Sequence, residues 1–337
     1  MIVFVVRRLT LMALTMLLAS MVVFVICEST PGSVARKLLG PFATVEQVDL
    51  LAERLHLNDP TPVRYARWLG VLIGVVSDPA ADASLGETYQ DSRGNRYFGN
   101  LGYSTLYKEP VNDVIWERIG NSGLLAGIAF LIVIPLSLTL GVLSGIKPGS
   151  IRDRVISLIS IVTSSIPEFA SAVILIAIFV VLLQWLPGTA PLETTNRWTI
   201  ADQLILPVTV LVMYDFGYVT RIMRGSMAEV MAQPFVRTAI LKGLPYRQVI
   251  LRHAMRNAMI APFTVILLQI HWLITGVVVT EVIFAYPGFG RMLMDAALFG
   301  DIAIIEAATL VAVTIAVGTQ FIGDIGYMLL NPRVRFK

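Results

Sequence analysis

The sequence predicts an all-α polytopic membrane protein with six transmembrane helices, both termini cytoplasmic, and a largely helical periplasmic segment between helices 1 and 2. Three observations predict it. Hydrophobic residues make up 56% of the 337 and charged residues 15%, with a mean hydropathy of +0.74, a balance outside that of soluble domains. Six runs with few charges are long enough to cross a bilayer, which takes about 20 helical residues. Lys and Arg gather in alternate short connections.

The first run, Leu9 to Cys27, is longer than an ordinary signal core and has no small-x-small site before Cys27, so it is expected to be retained. Cys27 is the only cysteine, which excludes an internal disulfide. Residues 28–120 follow, with nine basic and twelve acidic side chains. Inside them Thr44 and Gln47 have capping-box spacing before Val48, Leu51 and Leu55 at helical intervals. Ser77 to Phe98, rich in Asp, Gly, Asn and Ser, reads as an exposed loop or short hairpin.

The second run is Gly123 to Ile146. The third, Val155 to Leu186, is too long for one upright span, and Pro167 divides it. Residues 155–165 are expected as a short helix at the cytoplasmic face, and Ser165 with Glu168 has the spacing of a capping box that opens the span Glu168 to Leu186. Leu204 to Thr220, Phe263 to Thr280 and Ile302 to Leu330 complete the six. The runs are continuous rather than alternating, which excludes a barrel.

Arg7 and Arg8, Lys147 with Arg152 and Arg154, the seven basic residues from Arg221 to Arg256, and Arg333 to Lys337 mark the cytoplasmic side. The outer short loops hold one each, Arg197 and Arg291. The sequence pI near 9.0 therefore reflects orientation, not nucleic-acid binding. The expected domains are 1–27 (N-terminus and first helix), 28–120 (periplasmic segment) and 121–337 (transmembrane domain with a basic loop at 221–262).

Chemistry-bearing motifs are scarce. No phosphate-binding loop is present, so the chain is not expected to bind ATP itself. His56, His253 and His271 fall in three compartments, and neither a His-Glu-x-x-His nor a Gly-x-Ser-x-Gly motif occurs, so no metal or catalytic residue is assigned. Five ionisable groups at or near membrane depth, Asp215, His271, Glu281, Glu306 and Asp324, are candidates for a polar pathway, with helix packing as the alternative. Asp215 and Asp324 also resemble fragments of an intramembrane aspartyl-protease pair, but Phe321 stands where that motif needs Gly.

Further text carries a family signature: Thr30-Pro31-Gly32, Gly102-Tyr103-Ser104, Ser165-Ile166-Pro167, Arg224-Gly225-Ser226-Met227, Arg237-Thr238-Ala239, Lys242-Gly243-Leu244, Arg252-His253-Ala254, Tyr286-Pro287-Gly288-Phe289-Gly290-Arg291 and Asn331-Pro332-Arg333. In this order the chain resembles the inner-membrane permease subunits of the dipeptide/oligopeptide/nickel family of ABC importers, nearly end to end. The resemblance implies a bacterial cytoplasmic (inner) membrane location and half of a translocation pathway for peptides or related small solutes. It implies a heterodimer with a homologous permease, two ABC ATPase subunits that bind ATP and Mg, and a periplasmic substrate-binding protein. It also implies an ATPase-coupling helix built from Pro234, Phe235, Arg237, Thr238, Ala239, Lys242, Gly243 and Leu244.

The residues add their own support. Pro234 suits a first helical turn, Ala239 and Gly243 are spaced to share one helical face, and Gly243-Leu244-Pro245 ends one helix and starts another. Departures from the pattern include Asp215 where an apolar residue is expected and Ile302-Ala303 in place of Tyr-Pro. An ion-gradient-driven secondary transporter is the alternative class, for which no internal repeat is found.

Overall fold

A computed structural model describes every residue except 1, 29–33, 41, 79–95, 196, 276 and 331–337. The expected 77–98 loop therefore lies mostly outside the described residues. Four helices are long and apolar enough to cross a membrane: Ile2–Glu28, Val111–Gly145, Ile200–Met231 and Ile302–Leu330. A fifth crossing can come from Ile151–Ser165 and Glu168–Leu182, which meet at 97°. Ile166 is extended (φ −85, ψ 124) because a residue before proline is pushed out of the helical region.

The helix opens at Glu168 as expected, but not through a capping box. Pro167 is its N-cap without a side-chain bond, and Ser165 Oγ donates back to the Ile161 carbonyl at 2.7 Å. Its last turns, Ile176–Leu182, are π-helical. The fifth expected span is divided between two helices. Ile260–Thr275 has 16 residues, about 24 Å of helix against a hydrocarbon core of about 30 Å, and a separate short helix, Val278–Ile283, follows. By length and composition, four or five crossings are countable among the described residues.

The chain divides into two compact units. The first comprises Met1–Gly120 and Met292–Val317. Its N-terminal helix exposes Leu14, Leu18 and Val22, as a lipid-facing helix would. One stripe meets the helix Thr61–Leu72, where Ser20 Oγ and Tyr65 Oη are 2.8 Å apart and Phe24 packs edge-on to Tyr65. Val45–Arg54 opens with the expected capping box between Thr44 and Gln47, and Val48 and Ala52 bury against Ala35. Asp301 is 1% exposed and accepts from Ser104 Oγ at 2.7 Å, Leu106 N at 2.9 Å and Ile304 N at 3.2 Å. It thus caps Ile302–Leu330 and anchors the 104–106 turn at once.

The second unit comprises Asn121–Arg291 and Gly318–Lys337, and Ile200–Met231 runs through it as the central helix. A capping box between Thr199 and Asp202 opens that helix. Glycines set how closely its neighbours approach. A Cβ on Gly141 would lie 2.6 Å from Met223 Cβ, and one on Gly145 would lie 2.6 Å from the Arg224 carbonyl oxygen. Gly217, on the central helix itself, leaves room for the backbone of Ser160 on Ile151–Ser165. Residues four apart at 141 and 145 thus form a groove with no side chain.

Candidate functional site

The basic loop holds four short helical segments, Pro234–Leu241, Tyr246–Gln248, the π-helical Val249–Ala254 and Met255–Ala258. Three residues after Met231 ends the central helix, Pro234 begins Pro234–Leu241 at a position where its missing N–H costs nothing. Lys242 is the C-cap and Gly243 takes φ +77, so that Gly243 N bonds the Ile240 carbonyl at 2.9 Å and Leu244 N the Ala239 carbonyl at 3.4 Å. This Schellman arrangement needs a left-handed residue at 243, which glycine adopts without strain. Pro245 then caps the next helix, Tyr246–Gln248, as the sequence predicts.

The two sides of this element differ. Val236 and Ala239 are buried with Met223, Met227, Val249, Ile250, Ala254 and Ala258, and Leu244 packs on the same cluster. Phe235 (43%), Ile240 (46%) and Leu241 (78%) are exposed beside Pro234, Arg237, Thr238, Lys242 and Gly243. Ala239 and Gly243 do not share a helical face: the helix stops at Leu241, Ala239 turns inward, and a Cβ at Gly243 would meet nothing within 4 Å. The exposed side thus interleaves large apolar side chains with cations, a composition unlike an ordinary solvated face.

A clamp sits beside this element. Asp153 is 3% exposed and accepts from Arg224 Nη2 at 2.8 Å, Arg224 Nε at 2.5 Å, Ser144 Oγ at 2.6 Å and Gly149 N at 2.7 Å. The bidentate pair ties the start of Ile151–Ser165 and the end of Val111–Gly145 to the central helix. Sequence reasoning did not single out Asp153 or Asp301. Ser150 three residues before Asp153 is the available signal for the first, since Ser150 caps that helix.

The intramembrane acids fall into separate surroundings. Asp215 is 1% exposed and accepts from Gln269 Nε2. Glu168 is buried and accepts from Thr280 Oγ1. Glu281, also 1% exposed, accepts from Ser122 Oγ at 2.5 Å and Arg291 N at 2.9 Å. Gly288 and Gly290 leave the space its carboxyl fills, since a Cβ on Gly288 would sit 2.1 Å from Glu281 Oε1. Tyr286 Oη donates to the Asn121 carbonyl and Asn121 Nδ2 to the Pro287 carbonyl, closing the same turn. Glu306, 2% exposed, lines a cavity of about 170 Å³ with Arg64, Arg67, Trp68 and Asp301. His271 and Asp324 occupy Ile260–Thr275 and Ile302–Leu330, with side chains outside the described residues.

The family profile described as binding-protein-dependent transport system inner membrane component matches residues 137–336, and its N-terminal counterpart matches residues 1–125. The chain belongs to this family. As a binding-protein-dependent inner-membrane component it is a permease subunit of an ABC importer, a multi-pass protein of the bacterial inner membrane. The oligopeptide transport system permease protein AppB of Bacillus subtilis (strain 168) is 32% identical over 339 residues, 99% of each chain. A protein of Brucella abortus (strain 2308), named as a peptide transport system permease, is 32% identical over 95% of each chain. A solved structure of the MetNI methionine ABC transporter in inward-facing conformations is also similar, at a TM-score of 0.49 and 16% identity, covering 66% of this chain and 96% of that one.

Proposed function

We propose that this permease subunit forms half of an ATP-driven pathway for peptides or related small solutes. The observation that carries the reading is the two-sided Pro234–Leu241 helix. Its inner face is locked into the membrane unit, and its outer face presents Phe235, Ile240 and Leu241 to an ATPase subunit. Full-length likeness to relatives named for peptide transport supports the solute class. The remainder of the machine is a homologous permease in heterodimer, two ABC ATPases holding ATP and Mg, and a periplasmic binding protein. ATP binding and hydrolysis in the ATPases shift the docking helices and alternate the access of the pathway.

Replacing Leu241 with Glu puts a charge into the docking patch, and Gly243→Val strains a residue at φ +77 without a steric clash. Each is expected to leave membrane abundance unchanged and to lower ATPase co-purification and ATP-driven peptide uptake by about tenfold, which corresponds to about 1.4 kcal/mol of docking energy. Wild-type co-purification and uptake in both variants would remove this element from the coupling role.

The proposed topology has six crossings and cytoplasmic termini, with Ile260–Thr275 and the residues after it completing the fifth. In a Cys27→Ser background, Glu46→Cys is expected to react with an impermeant maleimide applied to intact spheroplasts, and Lys242→Cys only after permeabilisation. Both side chains are exposed. The opposite pattern would invert the protein.

A further inference from the structure

Ser164, Tyr214, Asp215, Tyr218, Arg221 and Gln269 line one cavity of about 350 Å³ in the second unit. Every one of the six carries a hydrogen-bonding side chain. Asp215 Oδ1 is taken by Gln269, while Oδ2 is buried with no hydrogen-bond partner. Arg221, the cation lining the same space, donates to Ser164 Oγ at 2.8 Å instead. The cavity is therefore left with a carboxyl oxygen that has no hydrogen-bond partner.

We propose that this cavity is a transit site for the primary ammonium group of the transported peptide, with Asp215 Oδ2 as its principal contact. The inference rests on the peptide-import reading and names what the pathway touches. An ammonium brings three donors and no acceptor. Asp215 Oδ2, the Gln269 amide oxygen and the tyrosine hydroxyls can receive them, and the faces of Tyr214 and Tyr218 favour a cation besides. A metal ion fits less well, because no group of three His, Cys, Asp or Glu is found among the described residues. The far end of the cavity suits the other end of a zwitterion. Asp215 and Arg221 are six residues apart on one helix, about 9 Å along its axis, so the same space offers a negative and a positive group.

Glu168 is close enough to Asp215 to interact with it electrostatically, but its own carboxyl is engaged by Thr280. Asp215 is thus the acid available to a passing solute. It is a contact rather than a structural tie, since Gln269 is its one hydrogen-bond partner.

The test uses the assembled complex with a Cys27→Ser, Tyr218→Cys permease. Modification rates by 2-aminoethyl and 2-hydroxyethyl methanethiosulfonate are compared with Asp, Asn or Glu at position 215. The cationic reagent is expected to lose about fivefold of its advantage in Asp215→Asn, as removal of a nearby opposite charge requires, and to keep it in Asp215→Glu. Millimolar trialanine is expected to slow modification, and N-acetyl-trialanine is not. An unreactive cysteine, a rate ratio indifferent to Asp215→Asn, or equal protection by both peptides would overturn the proposal. Uptake of trialanine by the Tyr218→Cys complex is measured in parallel. Absence of uptake in the wild type as well would instead overturn the peptide-import reading, even with a charge-dependent ratio.

Discussion

Gly217→Val is expected to abolish stable assembly of the membrane unit. A Cβ at this position would lie 2.2 Å from the Ser160 carbonyl oxygen, 3.1 Å from its carbon and 2.9 Å from Ser164 Cβ. The obstacle is backbone, so no rotamer change relieves it; the helices Ile151–Ser165 and Ile200–Met231 must part by more than an ångström. Overpacking of a tight core costs about 1–3 kcal/mol and sometimes more, and parting these helices also pulls the buried Asp153 carboxylate from Arg224, whose guanidinium is partly exposed and so adds a smaller, solvent-screened cost. Gly217→Ala is expected to be nearly as damaging, because the first carbon already collides. Gly225→Ala, eight residues along the same helix with nothing within 4 Å of the added carbon, is expected to be neutral or to stabilise by up to about 1 kcal/mol. Membrane abundance and the thermal midpoint of the detergent-purified complex check the pair, and similar behaviour of the two alanine variants would show that the close seam is absent.

Gly288→Ala is expected to be the next most severe, through a different cause. Its Cβ would meet Glu281 Oε1 at 2.1 Å and Cδ at 2.2 Å. That side chain can swing away, but only by abandoning Ser122 Oγ and Arg291 N in a site where Glu281 is 1% exposed. Each buried donor left without a partner costs about 1–3 kcal/mol, so a loss of about 2–5 kcal/mol is expected, read as a lowered thermal midpoint. The cause is separable by a double-mutant cycle. Glu281→Ala empties the space the new methyl needs, so it is expected to cost less in the Gly288→Ala background than in the wild type. Strict additivity would mean that the collision is not what destabilises the variant.

Much of the fold was legible because lipid imposes simple demands on a chain. Uncharged length gave the continuous helices, Thr44 with Gln47 gave a cap, and Pro234 with Gly243 bounded the Pro234–Leu241 helix at both ends. Breaks were harder to read. Pro167 is visible, but whether its two helices continue or meet at 97° depends on what they pack against. The interruption before Val278 is marked only by Gly276, a weaker signal than proline in the otherwise mostly apolar text from Phe263 to Thr280. The sites divide the same way. Asp215 drew notice as an acid among apolar residues, whereas its partnership with Gln269 spans 54 positions and leaves no local trace. Ala239 was assigned to a partner because small residues allow approach from either side, and sequence spacing does not say which side is occupied.

The unbroken central helix places the Gly217 seam two residues from Asp215 and fourteen from Met231. Held most tightly where the seam lies, such a helix has a fulcrum and a long arm. The arm to Met231 is about 21 Å, so a tilt of about 10° would carry the Met231 end about 4 Å while Asp215 shifts by less than about 1 Å. In the proposed mechanism, work delivered at the cytoplasmic surface would swing the far parts of the helix about a nearly stationary polar cavity, and a solute there would be held still while the walls exchange around it.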